Sequence, residues 1–304
     1  MSGLAVSHLK AGAGRVTILG DVSFAAPAGA VTGLIGPNGA GKSTMLHMLS
    51  GFLRPSAGSV RVLGQSAWKN PAIYAQVGLV PEREAVYPFL TGWEFVRLSA
   101  RLQGLPDPDA AARRAIAEVD LASAQDRPTG GYSKGMKQRV KIAAAIVHDP
   151  RILVLDEPFN GADPRQRLHM MAMLRRMAAE GRTIVFSSHI LEEVERLAED
   201  VLVIVSGRLA ASGDFREIRR LMIDRPHTFN VRSSDNRRLA AVLVGLPAVT
   251  GVDLEDTRLS VRSSDFGALT RALAPLAREA GVSLFEVLPA DESLESVFSY
   301  LVKR

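Results

Sequence analysis

Short apolar runs alternate with longer segments of helical periodicity over the first two-thirds of the chain. Five runs have the length and the β-branched content of strands, at residues 31–35, 77–80, 152–155, 183–187 and 201–205. The run at 152–155 is continuously apolar, which predicts a strand buried on both faces, as in a parallel sheet. Strands that alternate with helices in this way predict an α/β domain.

Capping residues mark three helix starts. Thr91 and Glu94 have the spacing of a capping box before an apolar stretch. Asp107 and Asp163 each precede a proline, so that a side-chain acceptor stands at the cap and proline at the first helical position. These residues predict where helices begin and carry no functional information.

The sequence VRSSD occurs twice near the C-terminus, at residues 231–235 and 261–265. Each copy follows an alternating, strand-like segment and precedes a helical pattern. Two copies are too few for a solenoid, and they predict a split β-α-β unit with strand, helix and strand repeated. We therefore expect two domains, residues 1–222 and a small α+β domain at 223–304, with a charged segment between them.

Composition narrows the possible functions. The chain has 304 residues, of which 47% are hydrophobic and 23% charged, values typical of a globular protein. It has no cysteine, which excludes disulfides, thiolate metal sites and thiol catalysis. The net charge of +5 is spread along the chain, so we expect a solvated basic surface and no nucleic-acid partner. We see neither a membrane-spanning stretch nor a signal peptide, and expect a cytoplasmic protein.

Residues 36–43, GPNGAGKS, match the phosphate-binding pattern G-x-x-x-x-G-K-[ST] between a predicted strand and a predicted helix. Glycines allow the backbone amides to turn toward phosphate, Lys42 supplies a charge to the β/γ-phosphates and Ser43 a hydroxyl to Mg²⁺. A coincidental glycine-rich turn is the alternative, which the strand and helix context disfavours. The predicted ATP-binding residues here are Gly36, Pro37, Asn38, Gly39, Ala40, Gly41, Lys42, Ser43 and Thr44.

Two carboxylates follow the apolar run at 152–155. Asp156 stands where a strand can direct it toward Mg²⁺, and Glu157 can polarise or deprotonate the attacking water. An acidic pair after a strand is by itself more often a turn. It becomes informative because the chain also carries the phosphate-binding loop.

Residues 132–139, YSKGMKQR, resemble the signature segment of the ABC ATPase family. The resemblance extends to residues 160–163 as the D-loop, with Asp163, and to residues 187–189, from Ser187 to His189, as the switch region. It implies that the signature contacts the γ-phosphate of ATP held by a second chain, so that each ATP, with its Mg²⁺ on one chain, is enclosed by two chains of an expected homodimer. The implied signature residues are Ser133, Lys134, Gly135 and Met136, and the implied catalytic residues are Glu157, His189 and Lys42.

Three departures from the common family pattern refine the expectation. Lys134 and Met136 replace a glycine and a glutamine, and Glu82 stands at the Q-loop position; both are similar to the branch that works with ABC-2-type permeases, mostly exporters. Glu82 is expected to bind ATP-associated Mg²⁺ through a water, although its extra negative charge weakens that assignment. Residues 10–16 lack the usual adenine-stacking aromatic, and only Arg15 could stack on the base as a cation.

The segment 87–95 is rich in aromatic residues. Core packing explains some of them. The resemblance implies that this region lines a groove for a short permease helix, so we hypothesise that one or two of Tyr87, Phe89 and Trp93 remain exposed.

These observations predict an ATP-hydrolysing subunit that drives a separate transmembrane permease, from the inner face of the membrane, by ATP-driven dimerisation. A soluble ABC ATPase is the alternative, but such proteins usually carry two cassettes or a long coiled coil. A non-hydrolysing nucleotide sensor would be expected to lack the carboxylate of Glu157, which is present.

Overall fold

The computed structural model describes residues 2–13, 16–83, 86–221, 226–255, 257–290 and 293–303. The chain folds as two compact units, of which the first ends at Gly213 and the second spans Asp214–Lys303. Residues 222–225 lie outside the described part, so the boundary at 222/223 stays a prediction.

The first unit contains two sheets, six α-helices and three short 3₁₀ helices within its described residues. Its strands are β1 (Ser2–Ala13), β2 (Val16–Pro27), β3 (Val31–Ile35), β4 (Ala57–Val62), β5 (Gln65–Ser66), β6 (Val77–Val80), β7 (Ile152–Asp156), β8 (Thr183–Ser187), β9 (Asp200–Val205) and β10 (Arg208–Gly213). Its helices are α1 (Lys42–Leu49), α2 (Gly92–Leu102), α3 (Pro108–Glu118), α4 (Lys134–Ile146), α5 (Pro164–Ala179) and α6 (Leu191–Leu197).

The central sheet has the strand order β10-β9-β3-β8-β7-β6. All neighbouring strands are parallel except the edge pair β9 and β10. Every residue of β3, β7 and β8 is buried, which confirms the strand predicted from continuous apolar character at 152–155. A second, antiparallel sheet has the order β2-β1-β4-β5.

The predicted helix caps are confirmed. Thr91 Oγ1 accepts from the Glu94 amide at 3.1 Å, and Glu94 Oε2 accepts from the Thr91 amide at 2.8 Å. Asp107 and Asp163 each accept at 2.9 Å from the amide three residues later. Asp163 thereby fixes the start of α5 immediately after the D-loop.

The second unit is an α+β domain with its own core. Its elements are α7 (Phe215–Leu221), β11 (His227–Ser233), α8 (Asn236–Leu243), β12 (Val249–Leu254), β13 (Leu259–Ser263), α9 (Phe266–Glu279), β14 (Leu284–Pro289) and α10 (Leu294–Lys303). The sheet is antiparallel, in the order β12-β13-β11-β14, which confirms the predicted split β-α-β arrangement. Asp235 and Asp265, which end the two VRSSD copies, cap α8 and α9.

Within the described residues, the helices fall short of the length and hydropathy that crossing a bilayer requires.

Candidate active site

The strand order brings four loops to one edge of the central sheet. β3, β8, β7 and β6 are consecutive neighbours and run parallel, so their carboxyl ends meet at the same edge. The phosphate-binding loop, the switch segment, the acidic pair and the Q-loop follow these ends in turn. Ligands of open α/β sheets bind at this edge.

The phosphate-binding loop requires glycine at defined positions. Gly41 has φ +101°, and a Cβ there would lie 2.7 Å from Leu19 Cδ2. A Cβ on Gly36 would lie 2.3 Å from the carbonyl oxygen of Ile204. Larger residues at these two positions would displace the loop, which explains the glycines in the motif.

Lys42 and the N-terminus of α1 supply the positive charge of the site. Lys42 Nζ donates to the carbonyl oxygens of Gly36 at 2.8 Å and Pro37 at 3.2 Å, which holds the ammonium against the loop. Gly41 is the N-cap of α1 and carries no side-chain acceptor, so the first-turn amides of the helix remain for an anionic ligand. This arrangement suits the phosphates of a nucleotide.

Ser187 connects the two carboxylate residues. Asp156 and Ser187 are register partners across β7 and β8. Ser187 Oγ donates to Asp156 Oδ1 at 2.5 Å and accepts from the Glu157 amide at 3.0 Å. Asp156 is only 3% exposed, so this hydroxyl fixes the orientation of a buried carboxylate and of the backbone that follows it.

Glu157 forms the closest pair in the site with His189. Glu157 Oε2 lies 2.8 Å from His189 Nδ1, and the glutamate is mostly buried while the histidine is half-exposed. Burial raises the pKa of the Glu157 carboxyl, and the hydrogen bond and charge of His189, together with the charge of Lys42, partly oppose that increase. Glu157 is therefore a carboxylate whose proton affinity is set by its neighbours, as expected of a general base.

The backbone of Glu157 adopts a left-handed conformation, with φ +51°. For a residue with a side chain this conformation costs roughly 1–2 kcal/mol. The Ser187 hydroxyl and Gln138, whose Nε2 donates to the Glu157 carbonyl at 3.3 Å, hold the backbone in place. Gln138 lies on α4 and is buried, so the helix that starts at the predicted signature also supports the Glu157 backbone.

A second buried network lies behind the switch segment. Glu193 is 4% exposed, accepts from Ser188 Oγ at 2.6 Å and pairs with Arg167 on α5 at 3.1 Å. This network joins the residue before His189 to the helix that follows the D-loop. The sequence placed Ser187 in the switch region and Gln138 in the signature segment, but their supporting contacts, and those of Glu193, were not predicted, because these contacts depend on burial.

The signature residues pack beside the D-loop of the same chain. Ser133 Oγ caps α4 by accepting from the Met136 amide at 3.2 Å. A Cβ on Gly135 would lie 3.1 Å from the Gly161 carbonyl oxygen, and one on Gly161 would lie 2.6 Å from Lys134 Cβ. Ser133 and Lys134 are exposed, and their predicted contact with ATP on a second chain remains a prediction.

The remaining predicted residues are peripheral to these contacts. Glu82 is exposed just beyond the end of β6. Arg15 lies outside the described residues.

Tyr87 and Phe89 are 52% and 75% exposed, which confirms that part of the aromatic segment stays at the surface. Trp93 is partly buried beneath two guanidinium groups, those of Arg97 and Arg113.

Comparison with known proteins identifies relatives of the first unit and of the whole chain. Residues 19–160 match the ABC transporter family, a span that contains the phosphate-binding loop, the signature and the acidic pair. An uncharacterized ABC transporter ATP-binding protein, all4389 of Nostoc sp., is 40% identical over 210 residues, covering 67% of this chain and 62% of that protein. The bacitracin transport ATP-binding protein BcrA of Enterococcus faecalis is 32% identical over 294 residues, covering 95% and 92%.

A solved structure supports the same relationship. The structure of an ATP-binding subunit of an ABC transporter is 33% identical, with a TM-score of 0.66, and covers 71% of this chain and 92% of that chain. The matched 71% of this chain is close to the share that the first unit occupies, and all the site residues lie in that unit.

Proposed function

The chain belongs to the ABC transporter family of ATP-binding proteins, and on that basis we propose that two copies of it hydrolyse ATP together to drive a separate membrane permease. The pair formed by Glu157 and His189, 2.8 Å apart beside Lys42, carries the proposal. A carboxylate in this position can accept a proton from the water that attacks the γ-phosphate. The other ring nitrogen of the half-exposed His189 can contact that phosphate.

The residues of the loop fit a nucleotide with bound Mg²⁺. The buried Asp156 carboxylate and the Ser43 hydroxyl are hard oxygen donors, of the kind that Mg²⁺ prefers. Ser187 holds one Asp156 oxygen, so the other is oriented for a ligand. Bound there, the cation would neutralise charge on the phosphates. Glu82, at the end of the neighbouring strand, would contribute through a water.

Two chains complete the site in this proposal. Ser133 and Lys134 are exposed at the N-terminus of α4, where backbone amides can receive a phosphate from another molecule. The signature of each chain would close the nucleotide bound to the P-loop of the other. Lys42, the partner's signature and His189 would then surround the charge that develops on the γ-phosphate.

A groove beside the aromatic segment offers the permease a docking site. Its volume is about 610 Å³, and it lies between the central sheet and the helices α2 and α4. Its lining includes Tyr74, Leu79, Phe95 and Leu102, and the exposed Tyr87 lies 6.2 Å from Phe95 in ring-centroid distance. We propose that an amphipathic permease helix occupies this groove at the inner face of the membrane. The resemblance of Lys134, Met136 and Glu82 to the branch that works with ABC-2-type permeases favours export as the direction.

Size-exclusion chromatography with light scattering tests the shared site. Wild type and Glu157→Gln are compared with and without Mg-ATP. The variant should form a dimer that depends on ATP, because it binds nucleotide but turns it over slowly. Glu157→Gln combined with Lys42→Ala is the matched control and should stay monomeric, since the phosphate contact is lost.

If Glu157→Gln binds ATP and stays monomeric at high concentration, the shared site would be refuted for the isolated chain. Normal dimerisation combined with ATP hydrolysis that no co-expressed permease stimulates would instead favour the soluble ABC ATPase.

A further inference from the structure

Lys141 connects the signature helix to the Q-loop. Its side chain lies on α4, and the residue is only 5% exposed. Its Nζ donates to the carbonyl oxygens of Pro81 at 2.8 Å, Arg83 at 3.2 Å and Glu82 at 3.5 Å. These carbonyls lie 58 to 60 residues away in the chain, so the contact exists only in the folded protein.

The geometry of this contact constrains the backbone of the Q-loop. A buried ammonium must be satisfied by acceptors, because desolvation of an unpaired charge is costly. Lysine offers three N–H donors and no acceptor, which matches a cluster of carbonyl oxygens. Three successive carbonyls turn toward Lys141, and this arrangement limits the directions open to the Glu82 side chain between them.

The Q-loop is held by two different parts of the first unit. Its N-terminal side continues directly from β6 of the central sheet. Lys141 holds the next three residues to α4, which packs against α2 and α3 and also against β6. Because Lys141 bonds the carbonyls of residues 81–83, a displacement of α4 relative to the strand ends would shift the backbone of these residues.

We propose that Lys141 is a positioning residue that couples the position of the signature helix to that of Glu82 in the ATP site. This inference rests on the proposed function, in which Glu82 contacts the Mg-ATP complex and the signature acts on the partner chain. Closure of two chains on ATP would place Glu82, and separation would withdraw it. Lys141 also lines the permease groove, so an occupant of the groove would act on the same contact.

The test compares Lys141→Met, which removes the donors, with Lys141→Arg, which keeps several. Arg139→Met is the matched control: Arg139 is also buried on α4 and donates to backbone carbonyls, but to those of Val119 and Asp120. Each full-length variant is assayed for the Mg²⁺ dependence of ATP hydrolysis. Hydrogen exchange of the Glu82 and Arg83 amides is measured with and without Mg-ATP.

Lys141→Met should raise the Mg²⁺ concentration for half-maximal activity about tenfold, since a bond from a charged donor orients the segment. It should also abolish the Mg-ATP-induced protection of Glu82 and Arg83, while protection of the phosphate-binding loop persists. Lys141→Arg should keep the Mg²⁺ dependence and the Mg-ATP-induced protection of wild type. Arg139→Met should lower thermal stability and leave the Mg²⁺ dependence and the Q-loop exchange unchanged.

Equal effects of Lys141→Met and Arg139→Met on the Mg²⁺ dependence would overturn the inference, because the change would then reflect stability alone. Wild-type protection in Lys141→Met would overturn it as well. Both outcomes leave the proposed function intact when wild type hydrolyses ATP. A wild type that shows neither hydrolysis nor protection with Mg-ATP would overturn the proposed function and the inference together.

Discussion

Glu157 Oε2 and His189 Nδ1 lie 2.8 Å apart, although the two residues follow different strands and are separated by 32 positions in the chain. The glutamate is 11% exposed at its side chain and the histidine 56%. The buried partner is thus shielded from water while the other reaches the surface where a nucleotide would bind. This pair gives a direct pH prediction.

Replacing His189 by alanine should move the acidic limb of the ATPase pH profile to higher pH. Burial raises the pKa of the Glu157 carboxyl, and His189 opposes that increase. Without the imidazole the pKa rises further, so Glu157 becomes protonated, and inactive as a base, at a higher pH than in wild type. The measurement is kcat/KM for ATP between about pH 5 and about pH 9.

His169→Ala is the control, because His169 is an exposed histidine on α5. Its acidic limb should coincide with that of wild type. An acidic limb that is unchanged in His189→Ala would show that Glu157 does not control the profile.

Replacing Ser187 by alanine should lower kcat by about 10- to 100-fold, the usual effect of losing a residue that orients a ligand-bearing side chain. The hydroxyl binds both Asp156 Oδ1 and the Glu157 amide, so the change releases two groups at once. Binding of ATP without Mg²⁺, measured by calorimetry, should change little. Thr183→Val, at the buried other end of β8, is the control and should retain its kcat. Equal loss in both variants would indicate damage to the sheet.

The double change Tyr87→Ser and Phe89→Ser should abolish stimulation of ATP hydrolysis by a co-expressed permease and leave basal hydrolysis intact. Both side chains are exposed, so the free energy of unfolding in urea should change by less than about 0.5 kcal/mol for each. Phe95→Ser, at an 8% exposed position of the same segment, should instead destabilise the protein by several kcal/mol. Unfolding of the double variant would show that the two aromatics belong to the core.

Replacing His148 by glutamine should reduce the loss of stability in acid. His148 Nε2 lies 3.3 Å from the Val77 carbonyl oxygen, and burial lowers the pKa of the imidazole. The unfolded chain therefore binds a proton at a pH where the folded chain does not, and stability falls as pH drops below the ordinary histidine pKa. Uptake of one such proton on unfolding lowers the free energy of unfolding by up to about 1.4 kcal/mol for each unit by which the pH falls.

Urea unfolding at about pH 7.5 and about pH 5.5 measures this difference. The difference between the two pH values should be smaller in His148→Gln than in wild type. The exposed His169→Gln should match wild type. A difference in His148→Gln as large as that of wild type would mean that other groups take up the proton.

The sequence by itself determined the features that depend on neighbouring residues. A strand, the motif at residues 36–43 and a helix follow one another, and Gly39 and Gly41 of that motif have the positive φ that a local turn requires. The caps at Thr91, Asp107 and Asp163 depend on amides three residues later, so the spacing alone predicted them. The two VRSSD copies predicted a strand end and a helix cap for the same local reason.

Only the tertiary structure determines which of these segments lie next to one another. The order β10-β9-β3-β8-β7-β6 differs from the order of the strands in the chain, and it makes Asp156 and Ser187 register partners across 31 residues. Gln138 and Lys141 look like ordinary surface residues in a helix that starts with the signature. Burial turns them into supports of the Glu157 backbone and the Q-loop. A polar side chain that is removed from water must find a partner wherever the packing places one, and packing is a property of the whole fold.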